Sequence, residues 1–123
     1  MTNRTVLYID DSADNIRLVE RVLKRRPDIE LRTAMTGRDG VKAATDDNPA
    51  LILLDNRLPD ANGLQVLREL AAAPATAAIP VIILSGDSAR QTIDDLLGAG
   101  AVDFLVKPLD IHQLLTVIED HLG

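Results

Sequence analysis

Several short apolar runs in this chain end in residues whose side chains do chemistry. Val6-Leu7-Tyr8-Ile9 runs into Asp10 and Asp11, Ala50-Leu51-Ile52-Leu53-Leu54 into Asp55, and Val81-Ile82-Ile83-Leu84 into Ser85. A further stretch, Val102 to Val106, runs into Lys107. Asp55 is the most informative of these, because no helical pattern begins for several residues after it. A carboxylate placed there is poorly suited to capping a helix and well placed to act as a nucleophile. Carboxylates gathered at adjacent strand ends repel, each close pair costing on the order of 4 kcal/mol at ~4 Å and an effective dielectric near 20. Such a cluster needs a cation. Asp10, Asp11 and Asp55 are all oxygen donors, which suits a hard divalent ion, and a small site that retains waters suits Mg²⁺ better than a dedicated Ca²⁺ cage. Lys107, a compact cation on a long stem, reaches toward a transferred anionic group, and Ser85 adds a hydroxyl donor. Singly, Asp10 or Asp11 reads as a helix cap, Lys107 as a surface lysine and Ser85 as a helix-approach residue. Jointly they are the equipment for accepting a phosphoryl group, a reaction that asks for positioning and charge neutralisation and needs no general base.

The elements that position these residues follow from the alternation of apolar runs with helical patterns. That alternation predicts a doubly wound α/β domain: a five-stranded parallel sheet with helices on both faces. In such a sheet the carboxyl ends of neighbouring strands open on one crevice, so residues far apart in sequence meet there. The first helix is expected over Ser12 to Arg26, with Ser12 as N-cap, an inward stripe of Ile16, Val19 and Leu23, and a stop at Pro27. Ile29 to Ala34 reads as a strand and Arg38 to Asp46 as a weaker helix, with Asn48-Pro49 turning into the Asp55 strand. A loop from Asn56 to Asn62 leads to a helix over Gly63 to Ala72, ended by Pro74. Ile79-Pro80 opens the fourth strand. Ser88 is the expected cap of a helix carrying Ile93, Leu96 and Leu97 inward and closed by Gly98 and Gly100. Ile111, Leu114, Leu115, Ile118 and Leu122 mark one buried face of the last helix.

Bulk composition narrows the function. With 123 residues, 46% of them hydrophobic and 26% charged, the sequence is expected to form a single domain spanning 1–123 with no effector domain. The net charge of -6 argues against direct nucleic-acid binding. Arg21, Lys24, Arg25 and Arg26, the only basic stretch, read as a solvated helix end. There is no cysteine, hence no disulfide or thiolate chemistry. Met1-Thr2-Asn3-Arg4 runs directly into a strand pattern, and no apolar stretch approaches the roughly 18 residues of a membrane span, so a cytoplasmic location is the default.

At this point the sequence resembles the receiver domain of two-component response regulators along essentially its whole length. The resemblance rests on Tyr8-Ile9-Asp10-Asp11, on Asp55-Asn56-Arg57-Leu58-Pro59-Asp60-Ala61-Asn62-Gly63, on Ser85-Gly86 and on Phe104-Leu105-Val106-Lys107-Pro108, all in order at the expected strand ends. It implies a flavodoxin-like fold of strand order 2-1-3-4-5, with Asp55 as phospho-acceptor from a phosphohistidine on a sensor histidine kinase or phosphotransfer domain. It implies that Asp10, Asp11, Asp55 and the main-chain carbonyl of Arg57 hold Mg²⁺, Asp10 partly through water. Ser85 and Lys107 would bind the phosphoryl oxygens, and the Lys107-Pro108 bond would be cis. A switch is also implied, in which Ser85 moves toward the phosphoryl group and Phe104 turns inward. Phe104 lacks the hydroxyl of the Tyr common at this position. Arg57, Gly86 and Asp87 lie where receivers vary the access of water to the acyl phosphate, and Arg57 and Asp87 are expected to pair across the site.

Other functions fit less well. A phosphatase of the haloacid-dehalogenase type needs a second acid two residues after the nucleophile, where this sequence has Arg57. A flavodoxin-like electron carrier needs aromatics around its flavin, and the aromatic content is 2%. A degenerate receiver serving only for interaction would not keep all five site residues. Within the receiver reading, a free-standing regulator and a module of a hybrid histidine kinase both remain. Asn15-Ile16-Arg17-Leu18-Val19-Glu20 resembles the kinase-fused kind. The last helix, Asp110 to His121, carries no Lys or Arg, which disfavours a winged-helix transcription factor; a monomer or weak dimer is expected. Ile16, Arg17, Glu20 and Arg21 are expected to meet the kinase, and His112 and His121 to be surface residues.

Overall fold

The computed structural model describes residues 4–122. Met1 to Asn3, read as leading into the first strand, and Gly123 lie outside the described residues. Five strands, β1 (Arg4–Ile9), β2 (Ile29–Ala34), β3 (Leu51–Asp55), β4 (Val81–Ser85) and β5 (Asp103–Val106), alternate with α1 (Ala13–Leu23), α2 (Gly37–Asp47), α3 (Gly63–Ala72), α4 (Arg90–Gly98) and α5 (Ile111–Leu122). The sheet is parallel throughout, in the order β2-β1-β3-β4-β5. The chain departs from β1 in one direction to β2 and in the other to β3. The crevice at the carboxyl ends of β1 and β3 therefore lies at the point where the winding reverses.

The continuous apolar runs have a simple cause: both faces of the sheet are covered. Successive side chains alternate between two cores. Leu7, Ile9, Ile52, Leu54 and Ile83 belong to one, beneath α2, α3 and α4; Val6, Tyr8, Leu51, Leu53, Ile82 and Leu84 belong to the other, beneath α1 and α5. Every residue of β3 and β4 is buried.

Helix termini show where sequence reading holds and where it fails. Ser12 caps α1 through a bond from Asn15 N at 3.3 Å, as expected. α1 itself ends at Leu23 and not at Arg26; the next residues continue as turns, and Arg26 swings out to Asp28 and Glu119. Ile16 is half-buried, while Val22 joins Val19 and Leu23 in the buried set. α3 has the expected bounds and carries a capping box between Asn62 and Gln65. Ser88 does not cap α4. The N-cap position is Ala89, without a side-chain bond, and Asp87 substitutes: its carboxylate accepts from Ala89 N at 2.9 Å and from the Thr92 hydroxyl at 3.0 Å. Leu97 does not face inward but is 43% exposed, because α4 packs on the sheet through Leu96 and two consecutive helical positions diverge by about 100°. β4 starts at Val81, just after Pro80. β5 starts at Asp103, leaving Val102 exposed beside the edge strand. His121 is less of a surface residue than expected, since its Nε2 lies 3.2 Å from Asp103 Oδ2. Among the described residues no helix is long and apolar enough to cross a membrane.

Candidate functional site

The carboxyl ends of β1, β3, β4 and β5 enclose a crevice of about 520 Å³, lined by Asp10, Asp11, Asp55, Ser85 and Lys107 together with Arg57, Gly86 and Asp87. Every residue expected to act on the phosphoryl group or the metal is thus brought to one place. Strand registry does the positioning. Asp55 pairs with Leu84 across β3 and β4, and Ser85 with Val106 across β4 and β5. A bond from Lys107 N to Ser85 O at 2.8 Å carries the registry one residue further.

The loop after Asp55 is held tightly. Asn56 N bonds Leu84 O at 3.0 Å, and Asn56 accepts from Gly63 N through both its main-chain oxygen and its Oδ1. A Cβ on Gly63 would sit 2.7 Å from Asn56 Oδ1 and 3.2 Å from Asn56 Cα, so any side chain there would push Asn56 out of its present bonds. Arg57 forms an isolated antiparallel bridge with Asn62. Farther along, Asp60 reaches across to α2, accepting from Gly37 N at 2.7 Å and Arg38 N at 3.0 Å, and these bonds hold its carboxyl below the usual range.

Asp10, Asp11 and Asp55 each offer a carboxylate oxygen, all lying within 4.8 Å of one another. Asp10 is fully buried, Asp55 is 5% exposed, and Asp11 is open to solvent. Lys107 Nζ bridges the buried pair, 3.2 Å from Asp10 Oδ2 and 3.0 Å from Asp55 Oδ1. The two buried acids respond oppositely. Burial pushes the Asp55 carboxyl up; the bond from Lys107 opposes this and the charge of Asp10 adds to it, with the net effect upward. Burial also acts on Asp10, but the Tyr8 hydroxyl, the Ser12 N–H and Lys107 outweigh it and hold that carboxyl below its usual range. Asp10 is therefore the anchored anion of the pair. Asp55 is the more readily perturbed one.

Ser85 is 3% exposed, and its Oγ accepts from Asp87 N at 3.0 Å and lies 3.5 Å from Asn56 Nδ2. A Cβ on Gly86 would meet nothing within 4 Å, so the crevice is open at that point. Arg57 and Asp87 do not form the expected ion pair. Both Asp87 oxygens are occupied by Ala89 N and Thr92, whose bonds lower its carboxyl, and Arg57 contributes only at longer range. Phe104 packs, partly buried, against the core beneath α2, α3 and α4. The Lys107–Pro108 bond is cis. On the surface expected to meet a kinase, Arg17 pairs with Asp14, Glu20 and Arg21 are exposed, and Ile16 leans on the core.

Sequence reading missed Tyr8, Asn15 and Asn56. The Tyr8 hydroxyl donates to Asp10 Oδ2, and Asn15 Nδ2 reaches the same oxygen at 3.3 Å. A signal existed: residues two apart on a strand share a face, which places Tyr8 beside Asp10.

Comparison with known proteins agrees with this geometry. Residues 6–119 match the family model of the response regulator receiver domain. The chain is 38% identical to response regulator PleD of Caulobacter vibrioides over 105 residues, which is 85% of this chain and 23% of PleD. It is 36% identical to protein PilH of Pseudomonas aeruginosa over 115 residues, covering 92% of this chain and 93% of PilH. The chain thus spans less than a quarter of one relative and nearly all of another. In fold it resembles the receiver domain of sensor histidine kinase PA1611 of Pseudomonas aeruginosa, at a TM-score of 0.88 and 24% identity over 99% of both chains. That crystal structure has a magnesium ion coordinated in its active-site cleft.

Proposed function

Since the chain belongs to the response regulator receiver domain family, we propose that it carries a phosphoryl group on Asp55, taken from a phosphohistidine of a sensor kinase or phosphotransfer domain. The observation that carries this reading is the bridging of Asp55 and Asp10 by Lys107 in a crevice open to solvent at Gly86. A carboxylate oxygen of Asp55 attacks phosphorus, the P–N bond to the donor imidazole breaks, and the nitrogen keeps the bonding pair. Lys107 stays paired with the phosphorylated side chain through a phosphoryl oxygen, and Ser85 Oγ turns from Asp87 N to donate to another. Water attack on phosphorus later returns the Asp55 carboxylate and inorganic phosphate. The protein is a phospho-acceptor and not a conventional enzyme.

The donor set fits Mg²⁺. Asp10, Asp11 and Asp55 supply only oxygens, one from each lying within 4.8 Å of the others, and Asp11 faces solvent where retained waters have room. The Arg57 carbonyl completes the proposed set. When bound, the ion neutralises charge on the acid cluster and on the incoming phosphoryl oxygens. Phe104 is the proposed partner of Ser85 in the conformational switch, and Arg57, Gly86 and Asp87 set water access. We place the protein in the cytoplasm as one receiver unit over residues 1–123. A free-standing regulator and a hybrid-kinase module are the two readings of the whole protein. Resemblance of Asn15 to Glu20 to kinase-fused receivers supports a hybrid-kinase module. The gene's reading frame separates these.

The direct test is incubation with Mg²⁺ and a small acyl phosphate, followed by intact-mass measurement. Wild type gains one phosphate and Asp55→Asn gains none. No gain in wild type, or an undiminished gain in Asp55→Asn, rules the assignment out.

A further inference from the structure

The carboxylate of Asp10 accepts four bonds. Ser12 N donates to Oδ1 at 2.9 Å, while Asn15 Nδ2 at 3.3 Å, Lys107 Nζ at 3.2 Å and the Tyr8 hydroxyl share Oδ2. A carboxylate offers about four acceptor positions. Here three donors crowd Oδ2 and a single one serves Oδ1, so Oδ1 keeps a position for the cation or a bridging water, and Asp10 is 0% exposed. Ser12 and Asn15 come from the start of α1, and Lys107 follows β5. The Tyr8 hydroxyl comes from beneath, on a side chain that is itself 0% exposed in the core under α1 and α5.

We propose that Tyr8 is a positioning residue of the acid site: its hydroxyl fixes the Asp10 carboxylate through Oδ2, leaves Oδ1 to face the cation with Asp11 and Asp55, and keeps Lys107 shared between Asp10 and Asp55. The proposal rests on the cation-assisted phospho-acceptor reading of the crevice and adds to it a residue drawn from the apolar core. Removing the hydroxyl takes away one of the three donors on Oδ2 and leaves Asn15 and Lys107 alone to hold it. Lys107 Nζ is already nearly equidistant from the two acids, 3.2 Å from one and 3.0 Å from the other, so Asp10 then draws it away from Asp55. Groups that orient metal-binding carboxylates typically change metal affinity by about 10- to 100-fold when removed. The competing account is that a buried tyrosine needs some partner for its hydroxyl and Asp10 is the nearest. In that account the cluster does not depend on Tyr8.

Tyr8→Phe separates the two, because it keeps the ring and deletes only the donor. Mg²⁺ is titrated calorimetrically into the full chain with no phosphodonor present. The expected result is binding about tenfold weaker in Tyr8→Phe than in wild type. Equal affinities overturn the role of Tyr8 and leave the phospho-acceptor reading standing; absence of Mg²⁺ binding by both proteins overturns both. A second readout needs no variant and is decisive even if Tyr8→Phe does not fold. The chain has one Tyr and no Trp, so its tyrosine emission, excited beyond the absorption of Phe104, comes from Tyr8 alone. A hydroxyl bonded to a carboxylate is quenched, and a cation polarising that carboxylate alters the quenching. Tyr8 emission is expected to change with Mg²⁺ at the calorimetric midpoint. Emission indifferent to Mg²⁺ where calorimetry shows binding overturns the proposal.

Discussion

Lys107→Met removes the charge that bridges Asp10 and Asp55 while keeping most of the side-chain volume. At separations of 3.0 and 3.2 Å, each attraction is on the order of 5 kcal/mol with an effective dielectric near 20. Those are gross values, offset by the desolvation of all three groups. A tighter bound comes from proton uptake. Asp10 keeps Tyr8, Ser12 and Asn15 as donors, so the loss falls on Asp55, whose carboxyl burial already pushes up. A stranded acid with an ordinary pKa near 4 escapes its penalty by binding a proton, which costs at most about 4 kcal/mol at pH 7 and between about 1 and 2 at pH 5. Lys107 retains 22% exposure, which places the expected loss somewhat under that ceiling, about 3 kcal/mol at pH 7 and about 1 at pH 5. The sign follows from the direction of the shift. An acid whose pKa rises on folding costs nothing below its unfolded pKa, and its penalty grows as pH increases toward the folded one. Equilibrium urea unfolding in EDTA at the two pH values, followed by far-ultraviolet circular dichroism, measures both differences, and saturating Mg²⁺ is expected to shrink them. Stability equal to wild type at pH 7 refutes the bridging role. A loss of the same size at both pH values refutes its electrostatic origin and assigns it to packing.

Three further outcomes follow from the geometry. Gly40→Ala gains about 1 kcal/mol of helix propensity, but its Cβ lies 2.5 Å from Ile9 Cδ1 and 2.8 Å from Cγ1, an overlap costing about 1–3 kcal/mol. Net destabilisation in urea is expected, and net stabilisation would show that Ile9 yields freely. Asp60→Asn weakens the bonds to Gly37 N and Arg38 N; because the Asp60 carboxyl is lowered on folding, the wild-type advantage is present above the ordinary carboxyl pKa and fades as pH falls through the folded value. Unfolding at pH 7 and pH 3 checks this, a constant difference being the contrary result. Asp87→Ala removes the acceptor for Ala89 N and Thr92, so hydrogen exchange at Ile93 should accelerate while α5 is unaffected; unchanged exchange would show that the first turn of α4 is held by its backbone alone.

Much of this was legible in the sequence because the sheet is covered on both faces. Continuous apolar runs such as Ala50 to Leu54 then have few interpretations, and a polar residue after each run marks its carboxyl end. The site residues inherit their meeting place from the parallel topology alone. What was hidden depends on loop paths and on parity. Ser88 and Asp87 are equally good acceptors by type, and only the bond from Asp87 N to Ser85 Oγ sets the loop so that Asp87 does the capping. The same commitment of Asp87 prevents its pairing with Arg57. Leu96 and Leu97 are equally apolar, yet one turn of helix cannot bury both against a flat sheet. Tyr8 was hidden by its company: inside an apolar run its ring counts as core, and its hydroxyl shows only when its face is compared with that of Asp10. His121 meets Asp103 because the end of α5 returns to the start of β5, a closure no local pattern records.

The bridge from Lys107 to Asp10 spans 97 residues of chain. During synthesis from the amino terminus, Asp10, Asp11 and Asp55 all emerge well before the lysine that neutralises the buried pair. Until β5 docks on β4, the nascent domain holds uncompensated acids at the edge of its forming core. Its final strand therefore contributes more than an edge to the sheet: docking that strand delivers the cation that pairs with both buried acids.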